Sequence, residues 1–188
     1  MALTNAKAKE YLAFLGCDTV LDFQKKYLYH YKYVNGKKVD NWDGKRGTDT
    51  NTALESCYNI VKYGEGFFIP SEFMCQCGKS NRKASCCGFP AVVDAQLIKN
   101  LVYLRKESKK PMTISSGLRC KTWNAKQSGS ATQSRHTKGK AADIISSVLT
   151  NTKAKRSALV KRWYTFKKAN YSYANTSNMG NAVHVDVK

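Results

Sequence analysis

The sequence predicts an α+β fold, in which a three-helix module precedes a domain built on a small antiparallel sheet flanked by helices. The chain of 188 residues is 42% hydrophobic, enough for one medium domain or two smaller ones. Apolar residues recur at helical spacing in several segments, whereas the C-terminal segment alternates with a period of two. Positive charge is concentrated in the residues after position 66, and this change in composition indicates a domain boundary there. We therefore expect two domains, 1–66 and 67–188.

The first domain has the pattern of three short helices. Residues 3–15 carry an apolar stripe that ends at Gly16, and residues 19–29 place apolar side chains at roughly helical intervals. Residues 39–47 contain the Asp-Gly signal of a chain reversal. Either Thr48 or Thr50 is then expected to cap a third helix.

The second domain mixes helices with strands. A strong amphipathic helix is predicted to begin at Pro90, and residues 154–168 are also expected to be helical. Residues 112–115 alternate like a strand, and residues 183–187 do so strictly. The apolar face of the first helix consists of Val93, Leu97, Leu101 and Leu104.

The charge favours a polyanionic partner. The net charge is +19, and residues 67–188 hold 22 of the 32 basic side chains but only 5 of the 13 acidic ones. Such a field attracts nucleic acid, an anionic membrane or an acidic cell wall. Motifs for specific nucleic-acid recognition are missing, and no apolar run reaches the roughly 18–20 residues of a membrane span. The N-terminal segment also lacks the apolar core of a secretion signal.

The sequence contains seven cysteines and does not show whether they bind a metal, form disulfides or stay reduced. An odd number, without a secretion signal, argues against a secreted disulfide framework. A structural zinc site is one possibility, although the C-x-C spacing is narrower than the usual C-x-x-C; disulfides or reduced thiols are the others. The cysteines concerned are Cys75, Cys77, Cys86, Cys87 and Cys120.

Two of the three histidines lie in segments that indicate a site. Strand alternation puts His184 and Asp186 on one face of the last strand, opposite three valines. Asp143 precedes two isoleucines, so it too is expected on a buried strand, seven residues after His136. Two imidazoles and one carboxylate form a catalytic zinc set, which suits amide hydrolysis. From the residues alone, ordinary hydrogen-bonded core histidines remain the alternative.

The first domain resembles the peptidoglycan-binding domain type 1 family. The resemblance rests on Phe23-Gln24, Asp43-Gly44, Gly47, Thr50 and Ala53-Leu54, which stand at that family's spacing. It implies that residues 1–66 bind bacterial peptidoglycan.

Residues 67–188 resemble the peptidase M15 family of zinc D-Ala-D-Ala carboxypeptidases and peptidoglycan endopeptidases. Two cysteine motifs, Cys75–Gly78 and Cys87–Pro90, are similar to those of one subgroup. The central motif elements are Ser116-Gly117-Leu118-Arg119 (Leu118 in place of an aromatic residue), Asn124, Ser134-Arg135-His136, Gly139, Ala141, Asp143 and His184.

The resemblance implies roles for individual residues. His136, Asp143 and His184 would be the zinc ligands. Arg119 would steady the substrate carbonyl or the developing oxyanion, and Ser134 would orient the substrate or stabilise its own turn.

The general base departs from the family pattern. Many relatives carry Glu or Asp three residues before the last zinc histidine, where this chain has Asn181; others carry a His where it has Ala182. Asp186 is the nearest acid in sequence, and it is expected either to act as the base or to hold His184 in the correct tautomer.

The expected function is therefore zinc-dependent hydrolysis of the peptidoglycan stem peptide, at the D-Ala-D-Ala bond or at an L-Ala-D-Glu bond. The chain is similar to phage endolysins, which implies synthesis in the bacterial cytoplasm and action on the cell wall; a host autolysin exported by another route is the other possible origin. We expect a monomer that does not insert into a membrane. The alternative, motivated by Asn181, is a catalytically impaired cell-wall-binding protein.

Overall fold

The structure, a computed structural model, describes residues 3–188 and shows the predicted α+β class. Within these residues the chain forms seven α-helices and six strands, joined by loops and two 3-10 turns. In chain order the elements are α1 (Asn5–Phe14), α2 (Val20–Tyr27), β1 (Tyr31–Val34), β2 (Lys37–Asp40), α3 (Thr48–Gly64), α4 (Pro70–Phe73), α5 (Ala95–Ser108), β3 (Thr113–Ser116), α6 (Lys121–Asn124), β4 (Ala141–Ile145), α7 (Lys153–Trp163), β5 (Ala169–Ala174) and β6 (Val183–Val187).

The N-terminal region contains the three predicted helices and one hairpin that was not predicted. Strands β1 and β2 pair around Asn35 and Gly36, both at positive φ, which is the Asn-Gly hairpin turn. The cap of α3 was also predicted wrongly. The N-cap residue is Gly47, because the Thr50 hydroxyl instead accepts a hydrogen bond from Gln24 inside the turn.

Gln24 holds that turn together. Its amide nitrogen donates to Asp43 and to the Lys45 carbonyl, and its side-chain oxygen accepts from the Gly44 backbone. The motif residues of this region therefore stabilise one another. Their role in binding a cell wall stays a prediction.

The sheet that carries the site has the strand order β3-β4-β6-β5, and all neighbours are antiparallel. Helix α5 begins at Ala95 rather than at Pro90, because the Asp94 side chain caps it by accepting from the Gln96 backbone. Helix α7 ends at Trp163, earlier than predicted, and strand β5 follows without having been predicted.

One hydrophobic core extends through both regions and joins α3 to α5. The Ser56 hydroxyl donates to the Ala91 carbonyl, and the Asn59 amide donates to the Val93 carbonyl. The predicted boundary near residue 66 stays a prediction. In residues 3–188 no helix is both long and apolar enough to cross a bilayer.

Candidate metal centre

The sheet brings the predicted site residues into one row. Asp143 on β4 lies directly opposite His184 on β6. Ser116 on β3 pairs with Asp143, and Tyr173 on β5 pairs with His184. His136 comes from the 3-10 turn that immediately precedes β4. His136 and His184, which are 48 positions apart in sequence, thus meet at the middle of the sheet.

Three ligand atoms converge at this point. The distance from His136 Nε2 to His184 Nδ1 is 3.2 Å, from His136 Nε2 to Asp143 Oδ1 is 3.3 Å, and from His184 Nδ1 to Asp143 Oδ1 is 2.9 Å. The three residues are buried, with exposed fractions of 2% for His136, 6% for His184 and 9% for Asp143.

The outer ring nitrogens determine which lone pairs face inward. His136 Nδ1 lies 2.6 Å from the Gly117 carbonyl oxygen, which can only accept, so Nδ1 carries the proton. His184 Nε2 lies 3.3 Å from Asp186 Oδ2, so it carries the proton of that ring. In the neutral rings, His136 Nε2 and His184 Nδ1 are then both acceptors. Three acceptor atoms face one another with no proton between them, an arrangement that is unfavourable without a cation.

The site fits a zinc ion. Zinc takes nitrogen and carboxylate ligands at about 2.0–2.1 Å, which places the ligands of a tetrahedral site about 3.3 Å apart. The three measured separations are close to that value. Three protein ligands leave a fourth position for water or substrate, as in catalytic zinc sites.

Arg119 lies against the ligand set. Its Nη2 donates to Asp143 Oδ2 at 2.6 Å, and its Nε donates to the Ser116 hydroxyl at 3.0 Å. Its backbone N–H donates to the His136 carbonyl. The guanidinium therefore fixes the carboxylate oxygen that does not face the histidines, and its positive charge lies beside the ligand cluster.

The ionisation states follow from these contacts. Burial alone would raise the pKa of Asp143, but the adjacent imidazoles of His136 and His184 hold it well below its usual range. Burial lowers the pKa of His136. Burial acts in the same direction on His184, yet the carboxylates of Asp143 and Asp186 raise its pKa overall.

Asp186 contacts the far nitrogen of His184 rather than the ligand cluster. Its Oδ1 accepts from the Asn170 amide at 2.9 Å and from the Tyr171 backbone at 2.8 Å, while Oδ2 faces His184. The geometry matches the tautomer-holding role better than the role of base. Asn181 is exposed and accepts a hydrogen bond from Arg156.

Ser134 is half-buried and begins the 3-10 turn of His136. Within residues 3–188 its hydroxyl makes no hydrogen bond to the three ligand side chains, and its carbonyl accepts from Thr137. Gly139 ends the same turn at φ +71°, and a Cβ there would lie 1.9 Å from the Val92 carbonyl oxygen. Only glycine fits this position.

Two contributors to the site were missed in the sequence. The Tyr173 ring stacks on His184 with 4.7 Å between ring centroids, and the Gly117 carbonyl orients His136. The alternation of Tyr171 and Tyr173 was a usable strand signal for the first. A backbone carbonyl leaves no signal in the sequence.

The fold and the site define a protein with a buried cluster of two histidines and one aspartate, on an antiparallel sheet, that could hold a metal ion. A family model described as Peptidase M15 matches residues 67–186, so the chain belongs to the peptidase M15 family. Membership implies a metal-dependent peptidase. No curated protein and no solved structure matches the chain.

Proposed function

We propose that this protein is a zinc-dependent peptidase that hydrolyses an amide bond in the stem peptide of bacterial peptidoglycan. The observation that carries the proposal is the meeting of three unprotonated ligand atoms, with the Arg119 guanidinium beside them. The family supports the metallopeptidase class. The concentration of positive charge in residues 67–188 suits an anionic cell wall.

When bound, zinc would polarise the scissile carbonyl and lower the pKa of a water molecule toward neutrality. The residues of the chain would hold the ion, orient its ligands and stabilise the developing negative charge. His136, Asp143 and His184 would hold the ion, and Asp186 fixes the His184 ring with Nδ1 facing it. The Arg119 guanidinium has N–H groups beyond those bound to Asp143 and Ser116, and these can stabilise the negative oxygen that develops on the carbonyl.

Among the acids of residues 67–188, Asp186 is the candidate to accept the proton of the attacking water, because the others are engaged elsewhere. Glu72 accepts from the backbone of Ile69, Asp94 caps α5, and Glu107 pairs with Arg162. Asp186, by contrast, contacts a histidine of the centre, with Oδ2 at 3.3 Å from His184 Nε2. Its carboxylate lies on the Nε2 side of the His184 ring, whereas the ligand atom Nδ1 is on the opposite side.

Digestion of purified cell wall tests the proposal. Zinc-loaded protein is incubated with sacculi, and the soluble products are analysed by mass spectrometry. Free D-alanine indicates cleavage of the terminal bond, whereas stem peptides with a new N-terminal D-Glu indicate cleavage after L-Ala. His136→Ala is expected to abolish both products, and His30→Ala, which changes the one histidine outside the centre, is the matched control. Intact stem peptides in the presence of zinc-loaded protein contradict the proposal.

Asn181 favours a second candidate, a wall-binding protein with impaired catalysis. Its amide cannot accept a proton at the position where many relatives carry an acid. Co-sedimentation with sacculi separates the candidates: an impaired binder sediments with the wall, yet the wild type and His136→Ala release equally little product.

A further inference from the structure

A second cluster of metal-binding side chains lies outside the histidine centre. The sulfur atoms of Cys75, Cys77, Cys86 and Cys120 all lie within 4.8 Å of one another, and all four residues are buried. They come from three separate pieces of chain: the 3-10 turn at Gln76–Gly78, the loop that follows it, and the N-cap position of α6.

We propose that these four cysteines bind a structural zinc ion that is distinct from the ion of the histidine centre. Zinc binds thiolates at about 2.3 Å, so the sulfurs of a tetrahedral site lie about 3.8 Å apart. The Cys77 and Cys86 sulfurs are 3.4 Å apart, and the whole set falls within the 4.8 Å limit. A disulfide requires a separation of about 2.0 Å, and all seven cysteines are free thiols in residues 3–188.

Backbone hydrogen bonds to sulfur support thiolate ligands. The Cys120 backbone N–H lies 3.3 Å from Cys75 Sγ, the Gly88 N–H lies 3.4 Å from Cys86 Sγ, and the Trp123 N–H lies 3.4 Å from Cys120 Sγ. Such donors outside the ligand shell orient the ligands and stabilise their negative charge.

The charge of the surrounding residues also favours a zinc ion bound by four thiolates. Four thiolates and one zinc ion carry a net charge of −2, which favours basic surroundings. No acidic residue occurs between Glu72 and Asp94, whereas Lys79, Arg82 and Lys83 lie within that segment. Arg82 also donates to the Gln76 carbonyl, next to two of the cysteines.

The cluster would tie an irregular loop to the catalytic region. The segment from Cys75 to Gly88 has one short 3-10 turn and two non-glycine residues, Ser80 and Asn81, at positive φ. Cys120 directly follows Arg119, whose guanidinium contacts the metal ligand Asp143. A zinc ion at the cluster would therefore hold the backbone that places Arg119, without touching the substrate.

Cys87 provides a matched control within the same loop. It is buried beside Cys86, but its sulfur contacts the Phe89 carbonyl and is not part of the cluster. We therefore expect the Cys87→Ser variant to bind zinc at both sites, as the wild type does.

Elemental analysis of the purified full-length chain, combined with thiol titration, tests the proposal. Two zinc ions per chain are expected in the wild type and in Cys87→Ser, falling to one in Cys77→Ser. X-ray absorption at the zinc edge of the His136→Ala/His184→Ala variant is expected to show sulfur scatterers alone, at about 2.3 Å. This second variant leaves the cysteines intact, so the test does not depend on Cys77→Ser folding.

Three results would overturn the inference: a single zinc ion in the wild type that is lost in the histidine variant, no zinc–sulfur scattering in the histidine variant, or a loss of four titratable thiols to disulfides. A wild type with two zinc ions and no activity on cell wall would leave the cysteine site standing while contradicting the proposed function.

Discussion

Replacing Asp186 with asparagine is expected to weaken zinc binding at the histidine centre by about 10- to 100-fold, or about 1.4–2.7 kcal/mol. The asparagine oxygen can still accept from Asn170 and from the Tyr171 backbone, as Asp186 Oδ1 does now. Its NH₂ group then replaces Oδ2, which faces His184 Nε2 at 3.3 Å. Two donors would oppose each other there, so the ring is expected to place its proton on Nδ1, the atom that faces the metal position.

The dissociation constant is measured by competition with a chromophoric chelator over a pH series. Asp186 raises the pKa of His184, so in Asp186→Asn protons compete less strongly with zinc for His184. The deficit of Asp186→Asn is therefore expected to be largest at high pH and to shrink as the pH falls. Unchanged zinc affinity together with a large loss of kcat would refute this reasoning and would identify Asp186 as the general base.

Three further outcomes are expected. Arg119→Lys is expected to lower kcat by about 100-fold with zinc content unchanged, because a single ammonium group cannot bridge the acceptors that the guanidinium bridges; unchanged kcat on a stem-peptide substrate contradicts this role. Gly139→Ala is expected to lower the free energy of unfolding by more than the ~1–2 kcal/mol of left-handed strain, because its Cβ would also overlap the Val92 carbonyl. Gly36→Ala, at φ +77° in open space, measures the strain alone, and equal urea midpoints of the two variants would contradict the overlap. Zinc affinity of the wild type is expected to fall as the pH decreases, because protons compete for the ligand imidazoles, above all for His184, whose pKa is raised by Asp143 and Asp186 despite its burial; a flat profile contradicts their ligation.

The C-terminal strand shows how far period-two alternation predicts this site. It correctly placed His184 and Asp186 on one face of β6, with the valines in the core. It could not show that the face of His184 is also covered, because the residues that contact the ring are distant in sequence: Tyr173 stacks on it and His136 lies 3.2 Å away. Nor could it show that Asp186 faces the far side of the His184 ring, because that depends on side-chain contacts with β5.

Elements with weak local signals were missed. Strand β5 has no Val, Ile, Leu or Phe, so its signal is limited to the alternating Tyr171 and Tyr173; its pairing with β6 is a contact that local periodicity does not encode. The start of α5 was displaced because the apolar spacing includes Val93, whereas the capping carboxylate of Asp94 sets the boundary. Among the cysteines, the adjacent pair of Cys86 and Cys87 had equal weight in the sequence, and only the tertiary structure separates them.

Anomalous diffraction at the zinc absorption edge, from crystals grown with excess zinc, would show whether His136, Asp143 and His184 bind one zinc ion. A peak is expected within bonding distance of His136 Nε2, Asp143 Oδ1 and His184 Nδ1, the three atoms that already lie 2.9–3.3 Å apart. No density there, with the three side chains turned away from one another, would contradict zinc binding by these residues.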